Sequence, residues 1–483
     1  MNILFVASEV EPYAKSGGLA DVAAALPKAL AELGHNVKVI LPLYSSIKYD
    51  KYNLKLIMPQ TCVHMGTCEE WFNVHHTAEP HGIDVYFIEF NKYFARTGYY
   101  HDSAGEYRDN AFRFAFLCRA AMQTVKDMDF KPDVVHVHDW QTSLLPYYLK
   151  KGYDSFFSGT KSVLTLHNMG YQGIFSSDVL SYAMVRDYDF KPDTFEAYGG
   201  INMLKGGIVY ADKLTTVSPT YAEEIRGPIG SNGLDPYLNR RGADLSGILN
   251  GIDTTIWNPS SDRLIPTNYT VKNFTDGKRR NKKALQQQFL LETNPELPLF
   301  SFIGRFAEQK GLNLLMDSID SVMNDMDCQF IILGSGDTVL ERFFGELPKR
   351  YAGRVGSFIG YSEPTAHIIE AGSDFFIMPS LYEPCGLNQM YSQAYGTLPV
   401  VRATGGLADT IEQYDEKRGT GTGFKFDYMA ARSLYDTIGW AVSTFFDRPA
   451  HMNNMITAAM KKDYSWKRSA QLYYELYKEA VGK

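Results

Sequence analysis

Short apolar runs rich in Val, Ile and Phe recur along the first half of the chain, at 2–8, 36–42, 83–90, 133–139, 161–167 and 212–218. Between most of them lie stretches such as LADVAAALPKALAELGH, whose Ala and Leu recur at helical spacing up to a stop near Gly34. This alternation predicts βαβ units on a parallel sheet. Over 255–297 the texture turns polar and is broken by Pro, Asn, Ser and Gly, the mark of a boundary. The alternation then resumes with runs at 298–306, 328–336, 356–362, 373–380 and 398–406. The expected fold class is α/β, with two Rossmann-like, doubly wound parallel-sheet domains over 1–256 and 257–464. The remainder, 465–483, reads as an amphipathic helix with Trp466, Leu472, Tyr473 and Leu476 on or near one face.

At 483 residues the chain exceeds the roughly 250–300 at which one core stops growing, so two domains are expected. No apolar run reaches the length of a membrane helix. The net charge of −7 lacks a footprint for nucleic acid, and the one dense basic run, KRRNKK at 278–283, reads as a solvated helix start. The five cysteines are scattered and odd in number, which argues against a disulfide framework and for a reducing, cytoplasmic setting. Cys62, His64 and Cys68 resemble half of a metal site without a second half.

Ligands of doubly wound sheets bind outside the carboxyl ends of the strands. There fall Lys15, His138, Asp139, His167, Asn168, Arg305, Gly334, Tyr361, Glu383 and Gly405. Two such sheets facing each other would make one deep cleft between the domains. The phrase GGLAD occurs at 17–21 and again at 405–409, and reads as two similar loops, one from each domain. Each loop would offer bare N–H groups and a helix dipole to an anion. With Lys15, Arg305 and Lys310 nearby, that anion is a diphosphate: Arg grips phosphate oxygens in a fork and Lys acts as a point charge. His136 and His138 share one face of a strand and could ligate a metal, but further ligands are lacking. Glu383 follows a strand directly and is either a site carboxylate or a cap for its own helix, which Pro384, Cys385 and Gly386 introduce.

Together these motifs resemble the bacterial glycogen synthases and plant starch synthases, glucosyltransferases of the GT-B type. The matching segments are KSGGLADV, HVHDWQT, TLHNMGYQG, KGGIVYADKLTTVSPTYAEEI, LNGIDTTIWNP, IGRFAEQKGLNLL, PSLYEPCGLNQMYSQAYGTLPVVRATGGLADTI and GTGFKF, in the family's order across nearly the whole chain. The resemblance implies transfer of glucose from ADP-glucose to the non-reducing end of an α-1,4-glucan with retention of configuration. UDP-glucose or another sugar nucleotide is the alternative donor. It implies catalytic roles for Lys15, His167, Arg305, Lys310 and Glu383. It further implies donor contacts from Gly17, Gly18, Asp139, Asn168, Asn250, Tyr361, Cys385, Gly386, Thr404, Gly405 and Gly406, with Tyr361 stacking on the base. No metal or other cofactor is implied. Expected partners are ADP-glucose or ADP and a glycogen-like glucan, without nucleic acid or membrane, and the oligomeric state stays open, a homo-oligomer included. The final helix would pack back on the first domain, and segment 255–297 would serve as a hinge that closes the cleft on ligand.

Two departures accompany the resemblance. Ser16 stands where the family usually has Thr, which keeps the hydroxyl. Tyr391 stands eight positions after Glu383, where many related retaining transferases place a second Glu that starch and glycogen synthases also lack. A nicotinamide oxidoreductase would need G-x-G-x-x-G after its first strand, and the chain reads SEVEPYAKSGG there. A non-catalytic glucan-binding protein would use the 14% aromatic content but not Arg305 and Lys310.

Overall fold

The computed structural model describes residues 1–78, 82–152 and 154–482. The chain forms two compact units, Met1–Gly251 with Trp466–Lys483, and Ile252–Ser465.

Unit 1 is built on a nine-stranded main sheet of β1 (Asn2–Val6), β2 (Asn36–Pro42), β3 (Lys55–Met65), β4 (Cys68–Thr77), β5 (Asp84–Glu89), β6 (Val134–His138), β7 (Lys161–Leu166), β8 (Lys213–Thr216) and β9 (Leu245–Gly247). Their order across the sheet is β9-β8-β7-β6-β1-β2-β5-β4-β3. Every expected strand of this half is present. The sheet is not wholly parallel, however, because β3 and β4 form an antiparallel hairpin at one edge. Cys62 and His64 lie on one face of that hairpin, whereas Cys68 pairs with Met65 and so belongs to the other face, which dissolves the half metal site. Helix α1 (Gly18–Glu32) follows β1, and α2 (Asn110–Asp127) crosses from β5 to β6. The chain leaves β1 outward through β2 and β5, then returns at β6 and proceeds the other way. The strand order therefore reverses between β1 and β6, which pair in parallel from Ile3↔Val134.

The helix Trp466–Val481 belongs to unit 1 and packs against α1. Trp466, Ala470, Tyr473, Leu476 and Tyr477 are buried, contributing on the order of 2 kcal/mol for each large side chain. Leu472 is not on this face: it is 48% exposed. Tyr477 Oη lies 2.7 Å from His136 Nδ1, and His136 Nε2 lies 2.6 Å from Thr165 Oγ1, so both ring nitrogens are engaged within the core. That removes His136 as a metal ligand.

Unit 2 has six parallel strands: β10 (Leu299–Phe306), β11 (Gln329–Gly336), β12 (Val355–Ile359), β13 (Phe375–Met378), β14 (Leu398–Arg402) and β15 (Phe424–Phe426). The order β12-β11-β10-β13-β14-β15 is that of a dinucleotide-binding Rossmann sheet, reversing between β10 and β13. Gly334 lies inside β11 rather than at its end, paired with Gly304. The basic run 278–283 is not a solvated helix start either. It sits in the middle of helix Phe274–Gln288 with Lys278 and Lys282 buried. Lys278 Nζ donates to Thr397 Oγ1 (2.7 Å) and to the carbonyls of Ala371 and Tyr395 (both 3.2 Å), and burial pulls its pKa down to about 7. Lys282 Nζ donates to Asp374 Oδ2 at 2.6 Å. These two lysines, one helical turn apart, tie the helix to the sheet.

Candidate active site

Polar groups gather where each strand order reverses. In unit 1, β1 runs into Ser8 and the buried Glu9. Tyr100 donates to Glu9 Oε1 at 2.5 Å, Ser16 Oγ donates to the same oxygen at 2.7 Å, and the Ser16 backbone N–H donates to Oε2. One carboxylate thus holds the loop that carries Lys15, Gly17 and Gly18. Lys15 Nζ is 2.7 Å from Asp21 and 3.6 Å from Glu11. Gly17 and Gly18 are exposed, and a Cβ built on either meets nothing within 4 Å.

Across the reversal, β6 delivers His138 and Asp139. Asp139 has φ +52°, a left-handed backbone that Asp tolerates better than most residues. The turn aims its buried carboxylate at the end of β7, where Oδ1 accepts the His167 N–H at 2.7 Å. Burial pushes the Asp139 carboxyl up to about 7, against the pull of the His167 and Asn168 N–H groups. Burial also brings the His167 imidazole down to about 3, so it is neutral near pH 7. His138 Nδ1 lies 3.1 Å from His167 Nε2. Asn168 Oδ1 accepts the Gly170 N–H at 2.9 Å. Asn250 is buried, and its Oδ1 has no partner among the described residues.

In a folded chain Asp139 holds its proton up to about pH 7, against about 4 in an unfolded one. Its contribution to stability is therefore complete below pH 4 and is lost as pH rises toward 7. Asp139→Asn should match the parent's thermal stability at pH 4 and exceed it at pH 8, measured by melting at both. An equal difference at both pH values would refute the buried, neutral carboxyl.

In unit 2 the reversal lies between the ends of β10 and β13. Arg305, near the end of β10, is exposed and its side chain makes no hydrogen bond or ion pair among the described residues. Lys310 is turned inward by Gly311, whose φ of +65° lets the backbone pass against the Pro379 carbonyl, where a Cβ would come within 1.9 Å. Its Nζ reaches Glu383 Oε2 at 2.6 Å, and Ser380 Oγ donates to the same oxygen at 3.0 Å. Glu383 is thus no helix cap, since the helix beyond it begins only at Asn388. Two of the three expected phosphate cations, Lys15 and Lys310, already hold carboxylates here.

The Glu383–Gly386 loop is fastened from several sides. Gly406 N–H donates to the carbonyls of Glu383 (3.0 Å) and Pro384 (3.2 Å). Gln389 Nε2 donates to those of Cys385 (2.9 Å) and Gly386 (3.1 Å). Arg402 donates to Ser380 and Leu381 carbonyls. Cys385 and Thr404 are buried, whereas Tyr361, just past β12, is 79% exposed. Two expectations change here. The Gly406 N–H is spent within the unit rather than bare. The two GGLAD loops also occupy different places, the first after β1 and the second after β14, the penultimate strand of its sheet.

A family model described as starch synthase catalytic domain matches residues 2–240, and one described as glycosyl transferases group 1 matches residues 284–461. A glycogen synthase of Treponema denticola is 44% identical over 490 residues, covering 100% of this chain and 99% of the relative. One of Thermotoga maritima is 43% identical, with the same coverage. The chain belongs to the glycogen and starch synthase family. Among solved structures, the catalytic domain of Starch Synthase IV from Arabidopsis thaliana bound to ADP and acarbose superimposes with TM-score 0.90 at 32% identity, over 100% of this chain and 99% of that one. Sucrose-phosphate synthase from Thermosynechococcus elongatus, at TM-score 0.62 and 16% identity, shares the fold.

For this family member, sequence reasoning passed over Glu9, Tyr100, Ser380 and Arg402. Glu9 and Arg402 had a signal: each is a charged residue at or just beyond the carboxyl end of an apolar run. Tyr100 and Ser380 had none, because their role depends on which loops meet. Among the described residues no helix is long and apolar enough to cross a membrane.

Proposed function

We propose that this synthase transfers glucose from ADP-glucose to the non-reducing end of an α-1,4-glucan, with retention of configuration, in the cytoplasm. One observation carries the reading: Arg305, exposed and without a side-chain partner among the described residues, stands at the Rossmann reversal of unit 2, where the Lys310–Glu383 pair also lies. Arg305 and Lys310 hold the diphosphate, Tyr361 stacks on the base, and Glu383 binds glucose hydroxyls or steadies the developing oxocarbenium ion. The Thr404–Gly405–Gly406 turn fixes the loop of Glu383, Cys385 and Gly386 around the sugar. From unit 1, Lys15 with Gly17 and Gly18 serve the diphosphate and the acceptor, while Asp139, His167, Asn168 and Asn250 face the donor glucose.

In the transfer, the bond from glucose C1 to the phosphate oxygen breaks and the bond to the glucan 4-oxygen forms on the same face. The hydroxyl proton passes to the leaving diphosphate. Charge develops on that leaving group, so cations fixed before reaction supply most of the rate. Glu383 and Asp139 are each engaged by donors, from Lys310 and Ser380 and from the His167 N–H, which suits them to binding rather than to nucleophilic attack. The relatives named glycogen synthase, and the starch synthase structure holding ADP with acarbose, support this choice of nucleotide and acceptor.

Matched donors test it. ADP should be released from ADP-glucose in the presence of glycogen at a kcat/KM well above that for UDP from UDP-glucose, and product NMR should show new α-linkages. Preferential UDP release would replace the donor, and nucleotide release independent of glucan would overturn the transfer.

A further inference from the structure

We infer that His138 fixes the tautomer of His167 with the proton on Nδ1, and is thereby a positioning residue for glucosyl transfer. The two rings meet at a single contact, His138 Nδ1 to His167 Nε2 at 3.1 Å, so one of these nitrogens carries the hydrogen and the other accepts it. Both rings are neutral near pH 7, since burial holds the His138 imidazole well below its ordinary range and His167 at about 3. Each therefore has one N–H, and the direction of one hydrogen bond determines both tautomers.

The far side of His138 decides that direction. Its Nε2 is buried with no partner among the described residues. If His167 donated, His138 would have to carry its own hydrogen on this orphaned Nε2. If His138 donates from Nδ1, the orphan is only a lone pair. Buried N–H groups without partners are rarer than under-used acceptors, which selects the second arrangement. The ring has little freedom to find another: it stacks on Phe5 (centroids 5.7 Å, planes 22° apart) and packs in a tilted arrangement against His136 (4.4 Å, 31°). His136 is itself pinned through both nitrogens by Tyr477 and Thr165. His167, the more exposed ring of the pair, is left with an Nδ1–H that has no partner among the described residues, a donor and not an acceptor. Its backbone is held independently by Asp139.

The catalytic consequence rests on the assignment of His167 to the donor glucose; the tautomer does not. Nitrogen-15 NMR of full-length, histidine-labelled protein, with the His167 signals assigned through His167→Gln, should show a protonated Nδ1 and a bare Nε2 at pH 7.5. His138→Asn places an amide donor near the same position and should preserve that pattern, whereas His138→Leu should let Nε2–H appear. A resting His167 protonated on Nε2 would overturn the inference. Kinetically, His138→Leu should lower kcat on the order of tenfold, the scale of one hydrogen bond, with His138→Asn recovering most of it. In a His167→Ala background His138→Leu should change kcat less than about twofold. An equal loss in both backgrounds would assign His138 to packing and overturn the positioning role. An Nδ1 proton with unchanged kcat in His138→Leu would also overturn that role, while ADP release by the parent enzyme would leave the transfer reaction standing.

Discussion

Lys310→Met is expected to lower kcat by roughly a hundredfold or more and to destabilise unit 2 at the same time. The kinetic part follows from losing one cation at a developing diphosphate anion, worth about 3 kcal/mol in the transition state. The stability part follows from the 2.6 Å pair with Glu383, which is only 5% exposed. Removing one partner strands the other charge, at a cost on the order of 3 kcal/mol, or roughly 6–12 °C in the melting of a unit this size. Arg305→Ala should separate the two effects. It should lose similar turnover with an unchanged melting temperature, because the Arg305 side chain is exposed and makes no hydrogen bond or ion pair among the described residues. The double variant Lys310→Met/Glu383→Gln should recover most of the stability and none of the turnover. If Lys310→Met melts early but retains near-parental kcat, Lys310 is a strut for Glu383, and of the two unit 2 cations only Arg305 serves the diphosphate.

Alanine in the two GGLAD phrases should give opposite outcomes. A Cβ at Gly405 would sit 2.0 Å from the Glu383 carbonyl oxygen on a backbone with φ +43°, and one at Gly406 would sit 2.0 Å from the Cys385 carbonyl oxygen. Neither clash can be relieved by a side-chain rotation, because both obstacles are main chain. Gly405→Ala and Gly406→Ala should each destabilise unit 2 by about 3 kcal/mol and displace Glu383, removing most activity. In Gly17→Ala and Gly18→Ala the added Cβ meets nothing within 4 Å among the described residues, and both variants should melt like the parent. If they impair catalysis, the effect should be on the KM for substrates, since only a ligand would feel the added methyl. Equal melting temperatures across all four variants would show that the second loop is looser than its geometry implies.

The strands were legible because each apolar run is long enough and framed by turn residues, and the rule that ligands sit at strand ends singled out His138, Asp139, Arg305 and Glu383, which the structure places at or beyond the ends of β6, β10 and β13. What was hidden depends on three dimensions. The edge hairpin of β3 and β4 carries mixed polar residues on its exposed positions, so its run lacked the apolar signature of the central strands. Lys278 and Lys282 looked solvated because charge ordinarily is. Their spacing of four marked one helix face, yet nothing local announced that Thr397 and Asp374 would meet it. The Lys310–Glu383 bond joins residues 73 apart, and two groups noticed separately as a phosphate cation and a sugar carboxylate prove to be one pair. Similarity of phrase also misled: identical pentapeptides stand after β1 and after β14, and their glycines meet different obstacles.

The bond between His136 and Tyr477 spans 341 positions, and the helix that supplies Tyr477 is made after the whole of unit 2. A ribosome synthesising this chain therefore finishes the second unit before it can finish the first. Domains generally fold in the order in which they emerge. Here the first-made unit must wait, its sheet formed but one flank without Trp466, Tyr473 and Tyr477, until the last turn of helix is released. During that interval the exposed apolar flank is the surface a chaperone or a neighbouring nascent chain would meet. Damage to the final helix, whether by nonsense mutation or proteolytic trimming, would consequently fall on the oldest part of the molecule and spare the youngest.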